Sequence, residues 1–169
     1  MFKLMSSVAI GALAFVVPAT PAGAALGPDA ASCRAGADEP AVLVNVSGFK
    51  TRSGSVRVQL YGGDPADFLA KGKWVRRVDL PVTASGPMKV CVALPRAGNY
   101  AVAVRHDVDG NGKSSMSDGG GFSRNPNISL LKLKPRFQQT VIAVDHGVTP
   151  VNVILNYKQG LTVGPIKRS

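Results

Sequence analysis

Residues 88–107, MKVCVALPRAGNYAVAVRHD, decide the fold, because apolar and polar side chains alternate on both sides of a Pro-Arg-Ala-Gly turn. Successive side chains of a β-strand point to opposite faces, so a period of two residues indicates two half-buried strands. The same alternation in other segments predicts one set of core-facing side chains: Val56, Val58, Val90, Val92, Tyr100, Val102, Val104 and Val153.

Short segments with this pattern recur along the chain, with turn residues between most of them. They are seven in number: residues 42–46, 56–61, 74–78, 88–94, 100–106, 137–145 and 151–157. Short strands joined by frequent turns favour an all-β fold, here an antiparallel two-sheet sandwich of the immunoglobulin or transthyretin type. A closed barrel is the alternative, and the long turn-rich insertion at 107–135 favours the sandwich.

One short helix is predicted between the strands, at residues 64–72. Asp64 is suited to cap its start, Pro65 occupies the first helical position, and Gly72 closes it. We expect one or two helical turns that bury Phe68 and Leu69 over a sheet edge.

The first segment is typical of an export signal. Lys3 precedes an uncharged apolar run at residues 8–17, and the small residues Ala22-Gly23-Ala24 indicate cleavage before Ala25. This run is too short to cross about 30 Å of hydrocarbon as a helix, so we expect no membrane span and an exported protein, periplasmic or extracellular. The predicted organisation is a signal peptide at 1–24, an extended leader at 25–40, a β-sandwich domain at 41–157 and a frayed tail at 158–169.

The chain is basic, with 20 Lys and Arg against 10 Asp and Glu and a formal net charge of +10. The densest basic groups, residues 73–77 and 132–136, do not form a run with interleaved aromatic side chains, and alternation along strands explains most of them as solvated faces. Export also argues against nucleic acid as a partner. The expected partners are anionic envelope polysaccharide, lipid headgroups or an envelope protein.

The two cysteines, Cys33 and Cys91, exclude a thiolate zinc cluster, and neither has a Cys-x-x-Cys partner. In an oxidising compartment the simplest interpretation is a structural disulfide. Because Cys91 alternates with the core-facing Val90 and Val92, we expect the bridge to hold the N-terminal segment across the outside of the sheet.

Four motifs follow one another along the chain: Gly98-Asn-Tyr100, His106-Asp-Val-Asp-Gly-Asn111, Gly121-Phe-Ser-Arg-Asn125 and Leu155-Asn-Tyr157. Together they resemble the exported bacterial family called domain of unknown function 2141, over about residues 40–157. The chain departs from the family after Asn111, where members usually continue with Lys-Leu-Asp and a longer loop. The resemblance implies an exported β-sandwich and implies no activity.

The loop at residues 107–118 carries the main chemical signal. Its residues have the spacing of a calcium loop, with oxygen ligands at positions 1, 3, 5, 7, 9 and 12 and glycine at position 6. The candidate Ca²⁺ ligands are Asp107, Asp109, Asn111, Lys113 through its carbonyl, Ser115 and Asp118. The alternative is a turn that Asp and Asn side chains stabilise by bonding to their own backbone, with Lys113 or Arg105 neutralising the carboxylates.

Two histidines, His106 and His146, each adjoin an aspartate, Asp107 and Asp145 respectively. If two strand ends bring His106, Asp145 and His146 together, they form a transition-metal or acid–base site. The simpler interpretation is two loop-end histidines near solvent. Neither a Gly-x-Ser-x-Gly motif nor a pair of glutamates is present, so an enzyme is the least expected class.

Three functions follow from these patterns. The leading hypothesis is a non-catalytic exported module that binds an envelope protein or polymer through its loops. A calcium-stabilised carbohydrate-binding or adhesion domain is the alternative, and a small metal-dependent hydrolase is the second alternative.

Overall fold

The computed structural model describes residues 23–166. Residues 1–22, most of the predicted signal peptide, lie outside the described residues, as do residues 167–169. In the described part of the chain, no helix is long and apolar enough to cross a membrane.

Within residues 23–166, ten strands form two sheets: β1 Ala41–Ser47, β2 Ser55–Tyr61, β3 Arg76–Pro81, β4 Met88–Ala93, β5 Gly98–Asp107, β6 Gly119–Phe122, β7 Val141–Val144, β8 Val148–Ile154, β9 Asn156–Gln159 and β10 Thr162–Pro165. The smaller sheet has the order β4-β1-β8. The larger, seven-stranded sheet has the order β10-β9-β6-β5-β2-β3, and β7 also pairs with β5. The predicted all-β sandwich is confirmed, with ten strands instead of about seven.

The expectation of a wholly antiparallel sandwich is wrong at one pair, because β1 and β8 run parallel. β8 reaches its place from β7, which lies in the other sheet, so no hairpin imposes the antiparallel direction. The predicted strand at 151–157 is in fact divided at Leu155, which is fully buried where the chain passes from the smaller sheet to the larger. The predicted strand at 137–145 begins instead with a 3₁₀ turn, Phe137–Gln139.

The core lies between the two sheets, and the predicted core faces are confirmed. The eight side chains that alternation placed inward are all buried: Val56, Val58, Val90, Val92, Tyr100, Val102, Val104 and Val153. Leu60, Met88, Leu155 and Tyr157 belong to the same cluster. Burial of this apolar surface is the main favourable contribution to folding.

The predicted helix at residues 64–72 is wrong, because this segment is a series of turns. The Asp64 carboxylate does accept a hydrogen bond from the Ala66 N–H (2.9 Å), as a capping residue should. However, Leu69 adopts a left-handed backbone with a φ of 60°, which ends any helical path. Phe68 packs with its ring edge-on to the rings of Tyr61, Phe122 and Phe137.

The leader at 25–40 is fixed to the smaller sheet. Leu26 pairs with β4, donating its N–H to the Lys89 carbonyl (2.7 Å) and accepting the Cys91 N–H (3.0 Å). A 3₁₀ turn, Ala30–Cys33, follows, and the predicted Cys33–Cys91 disulfide is present. The leader therefore covers the edge of β4, which would otherwise be open to pairing with another chain.

The frayed tail expected from residue 158 is wrong as far as Pro165, since β10 pairs with β9 as an antiparallel hairpin. The run Gly119-Gly120-Gly121 is also a strand, β6, and it lies between β5 and β9. It therefore holds the end of the acidic loop in place rather than leaving Asp118 free to move.

Candidate functional site

The acidic loop at residues 107–118 connects β5 to β6. β5 ends at Asp107, β6 begins at Gly119, and His106 pairs with Gly119 across these antiparallel strands. The next position outward in this register places Asp107 opposite Asp118. Like charges that face each other on paired strands repel, so this arrangement favours a cation between them.

Three carboxylates converge at the mouth of the loop. Asp107, Asp109 and Asp118 each contribute an oxygen, and these oxygens all lie within 4.8 Å of one another. The Ser115 hydroxyl adjoins them, since it donates to Asp118 Oδ1 (3.0 Å). Asn111 adjoins Asp109, to which its side-chain amide donates (2.7 Å), and its Oδ1 accepts the Lys113 N–H (2.7 Å). Among the predicted calcium ligands, the structure thus brings the three aspartates and Ser115 together.

Asp107 is the buried member of this cluster, with 2% of its surface exposed. Its Oδ2 accepts hydrogen bonds from the Gly112 N–H (2.8 Å) and from the Arg105 guanidinium (3.2 Å). Its Oδ1 is also buried and has no hydrogen-bond partner among the described residues. An unsatisfied buried polar group typically costs about 1–3 kcal/mol, and more if it is charged.

The charge on Asp107 is nevertheless stabilised. Burial raises the pKa of its carboxyl group, but the hydrogen bond from the Gly112 N–H and the positive charge of Arg105 lower the pKa by more. The net pKa of Asp107 lies below the ordinary value of aspartate, so the group is an anion at neutral pH. An anionic buried oxygen without a partner is a suitable ligand for a hard cation.

Arg105 neutralises Asp107, as expected if this loop is a turn without a metal ion. Its guanidinium also donates to the Gly112 carbonyl (3.0 Å) and to the Ser114 hydroxyl (3.1 Å). Arg105 therefore contacts Oδ2 of Asp107 and residues 112 and 114 of the loop. Asp109 and Asp118 form no ion pair within residues 23–166.

The local turn that the alternative predicted is present as well. Asp109 accepts the Asn111 N–H (3.2 Å) and the Asn111 side-chain amide (2.7 Å). Gly110 and Gly112 adopt left-handed backbones, with φ of 69° and 76°. These bonds account for the path of residues 109–113, but they do not account for Asp118 lying beside Asp107.

The structure does not bring the two histidines together. His106 lies at one end of β5, where it pairs with Val56, whereas Asp145 and His146 follow Val144, which pairs with Gly98 at the other end. Eight residues of strand at about 3.3 Å each separate the two ends by roughly 26 Å. The site expected from His106, Asp145 and His146 is therefore not formed.

His106 is a core residue with no exposed surface. Its Nε2 lies 2.8 Å from the Ser53 carbonyl, which only accepts, so Nε2 carries the hydrogen. Its Nδ1 then accepts from the Tyr157 hydroxyl at 2.6 Å. Both ring nitrogens are occupied by structural bonds, and the ring also packs edge-on to Phe49.

A second surface, which sequence reasoning missed, adjoins the acidic loop. We call it the leucine–lysine face, and it consists of the groove residues Met116, Leu130, Leu133 and Lys158 together with Leu131, Lys132 and Lys134, which belong to the same chain segment as Leu130 and Leu133. Several of these side chains border a groove of about 230 Å³ beside β6 and β9. Leu131 is fully exposed, and Met116 is 63% exposed. Exposed large apolar side chains that cluster indicate an interaction surface.

The tip of this face is a tight turn. Ser129 and Lys132 exchange backbone hydrogen bonds (3.0 and 3.2 Å), which leaves Leu130 and Leu131 as the two residues at the tip. Two-residue turns usually carry glycine or asparagine, so a pair of leucines here is unusual. The basic residues at 132–136 lie in this connection and not on a strand, and Lys132, Lys134 and Arg136 are exposed to solvent. The sequence signal was the run Leu130-Leu-Lys-Leu-Lys134 inside a segment rich in turn residues.

The structure is a small disulfide-bonded β-sandwich, and the two candidate surfaces lie in the connections on either side of β6. A model of the family described as "Uncharacterized protein conserved in bacteria (DUF2141)" matches residues 44–152, and the chain belongs to this family. This confirms the resemblance drawn from the sequence motifs. No curated protein and no solved structure matches the chain.

Proposed function

We propose that this protein is an exported, non-catalytic module that attaches to an anionic lipid surface of the cell envelope through the leucine–lysine face. The observation that carries the proposal is the fully exposed Leu131 at the tip of a tight turn, with Lys132 beside it. Apolar side chains at such a tip can enter the boundary between headgroups and acyl chains. Lysines around them attract anionic headgroups, each contributing about 1 kcal/mol.

The charge of the whole chain supports this choice of partner. The formal net charge is +10, and three exposed lysines accompany the leucines: Lys158 borders the groove, and Lys132 and Lys134 flank Leu133 in the chain. An acidic polysaccharide would satisfy the lysines but would leave the leucines in water. Since both kinds of side chain share one surface, a lipid surface matches the face better than a polar polymer does.

Export is part of the same proposal. The signal-like segment at 1–24 and the Cys33–Cys91 disulfide support an oxidising compartment outside the cytoplasm.

The non-catalytic part of the proposal is supported by His106, whose two nitrogens are both engaged in core hydrogen bonds. The carbohydrate-binding alternative has less support, because the large side chains most exposed on residues 23–166 are aliphatic, and the half-buried Trp74 has the Arg77 guanidinium over its ring.

Co-sedimentation with lipid vesicles tests the proposal. We expect binding to vesicles that contain phosphatidylglycerol and much weaker binding to pure phosphatidylcholine. Raising the salt from about 0.1 M to about 1 M shortens the Debye length from about 10 to about 3 Å and should weaken binding. Leu131→Ser should lower the affinity about 10- to 100-fold, since burying a leucine contributes about 1.5–3 kcal/mol. Lys132→Gln should lower it about fivefold.

Two exposed residues away from this face provide matched controls. Val75→Ser and Lys71→Gln make the same kinds of change and should leave vesicle binding as it is in the wild type. Equal binding to neutral and anionic vesicles would contradict the proposal. So would an unchanged affinity of the Leu131→Ser variant, or an equal loss in the control variants.

A further inference from the structure

We propose that the β5–β6 loop binds one Ca²⁺ ion between the carboxylates of Asp107, Asp109 and Asp118, with the Ser115 hydroxyl as a neighbouring oxygen donor. This inference does not depend on the attachment to lipid, because it rests on different residues and has its own measurement.

The first support is the convergence of acidic groups in a basic chain. Only 10 of the 169 residues are acidic, and three of these place carboxylate oxygens within 4.8 Å of one another. The β5–β6 pairing ends at His106 and Gly119, so Asp107 and Asp118 are the next residues outward and the pairing brings them close together. A dication between them converts the repulsion into attraction.

The second support is Oδ1 of Asp107. This oxygen belongs to a side chain with 2% exposure, and it has no hydrogen-bond partner in the described part of the chain. The neighbouring Oδ2 already accepts from the Gly112 N–H and from Arg105, which fixes the orientation of the carboxylate. A cation on the Oδ1 side would satisfy the remaining buried oxygen without displacing either bond.

The other two carboxylates retain capacity for a metal. Asp118 accepts hydrogen bonds from the Val108 N–H (3.2 Å), from the Ser115 N–H (3.0 Å) and from the Ser115 hydroxyl. Asp109 accepts from the N–H and the side-chain amide of Asn111. A carboxylate has about four lone-pair sites, so hydrogen bonds of this kind do not prevent coordination; they orient the ligands.

The ligand chemistry selects Ca²⁺ among common cations. The donors are all oxygens, the loop is irregular, and Asp109 is exposed, so water can complete a coordination shell of six to eight ligands. Mg²⁺ requires a near-ideal octahedral arrangement, which three carboxylates from one loop are less suited to supply. Aspartate at the last position, in place of a bidentate glutamate, and the positive net charge predict weak binding, with a Kd of about 10⁻⁴–10⁻³ M.

Calorimetric titration of the folded, disulfide-bonded protein with CaCl₂ tests the inference. We expect one site with a Kd in that range, and a higher melting temperature in CaCl₂ than in NaCl of equal ionic strength. Asp109→Asn and Asp118→Asn should each raise the Kd at least about tenfold, because each removes a charged ligand. The matched control is Asp145→Asn, an exposed aspartate outside the cluster, which should leave the Kd unchanged.

A second measurement covers variants that fold poorly. Amide chemical shifts of the wild-type protein should change on Ca²⁺ addition within residues 107–119 and should stay constant around Asp145. Absence of binding heat and of shift changes at about 10 mM Ca²⁺ would overturn the inference, since extracellular calcium sites bind at or below about 1 mM. An unchanged Kd in both Asp109→Asn and Asp118→Asn, or shift changes elsewhere in the chain, would also overturn it.

Discussion

The three consecutive glycines of β6 predict a sharp contrast between neighbouring substitutions. An alanine Cβ at Gly121 would lie 2.6 Å from Val153 Cγ1 and 2.7 Å from the Ile154 carbonyl oxygen. An alanine Cβ at Gly120 would meet nothing nearer than the Val104 carbonyl oxygen, at 4.0 Å. The cause is the alternation of the strand, which turns residues 119 and 121 toward the core and residue 120 away from it.

The magnitudes follow from these distances. Carbon atoms make optimal contact at about 3.5–4.0 Å, so Gly121→Ala requires β6 or the β8–β9 junction to move by about 1 Å. Overpacking of this kind typically costs about 1–3 kcal/mol. Replacing glycine by alanine where the backbone permits it stabilises by about 0.4–1 kcal/mol, through the unfolded chain. Gly120→Ala should therefore be neutral or stabilising, and the two variants should differ by about 2 kcal/mol.

Gly119→Ala should be at least as damaging as Gly121→Ala. Its Cβ would overlap the ring of Tyr157, which is 1% exposed and has its hydroxyl bonded to His106. Moving the ring would break that hydrogen bond, which is worth about 0.5–1.5 kcal/mol.

Equilibrium unfolding in urea, followed by circular dichroism with the disulfide intact, measures these differences. The dependence on urea should be the same in all variants, so that midpoint shifts report stability. If Gly120→Ala and Gly121→Ala unfold at the same urea concentration, then β6 does not alternate as described and the reasoning is refuted.

Two further variants test the interior and the leader. Burial raises the pKa of Tyr157 to about 12, from an ordinary 10.0. The contribution of the neutral phenol to the free energy of unfolding is therefore fully present below pH 10.0 and is lost as the pH rises toward 12. Tyr157→Phe should abolish this alkaline loss of about 2–3 kcal/mol, as measured by unfolding across that pH range. Replacing Cys33 and Cys91 together by alanine opens a loop with a sequence separation of 58 residues. This double variant should lose about 4 kcal/mol of unfolding free energy in the same urea assay. A loss below about 1 kcal/mol would mean that other contacts hold the leader on β4 without the disulfide.

The sequence was sufficient for the core because large apolar side chains alternate with small or polar ones along the strands that line it, even in β5, where both faces are buried. Val102 and Val104, for example, follow a strict alternation that only one register satisfies. It was insufficient at residues 64–72, where capping residues suggested a helix but the left-handed backbone of Leu69 depends on the surrounding fold. It was also insufficient for β6, because glycine has a low strand propensity and only the close approach of Tyr157 and Val153 explains it.

The candidate sites, like the fold, were only partly predictable from the sequence. The spacing of Asp107, Asp109 and Asp118 was readable from the sequence, since the ligands belong to one loop. The unpartnered Oδ1 of Asp107 was not readable, because its burial depends on the β5–β6 pairing. The histidine site was wrong for the opposite reason: adjacency to an aspartate in the sequence carries no information about which end of a strand a residue occupies.

β6 connects the two surfaces that we assign to function. One end of this strand places Asp118 beside Asp107, and beyond its other end the chain leads through Ser123 to the turn that bears Leu131. Ser123 fixes that exit, since its hydroxyl accepts the Val102 N–H (3.0 Å) and also lies against the Thr140 carbonyl. Met116, on the leucine–lysine face, is two residues from Asp118. A side chain at Gly119 would push β6 away from Tyr157 of β9, and one at Gly121 would push it away from Val153 and Ile154 of β8; either would displace Asp118 and the groove together. These two glycines therefore position both surfaces through the close packing that their missing side chains allow, although neither needs to contact a ligand.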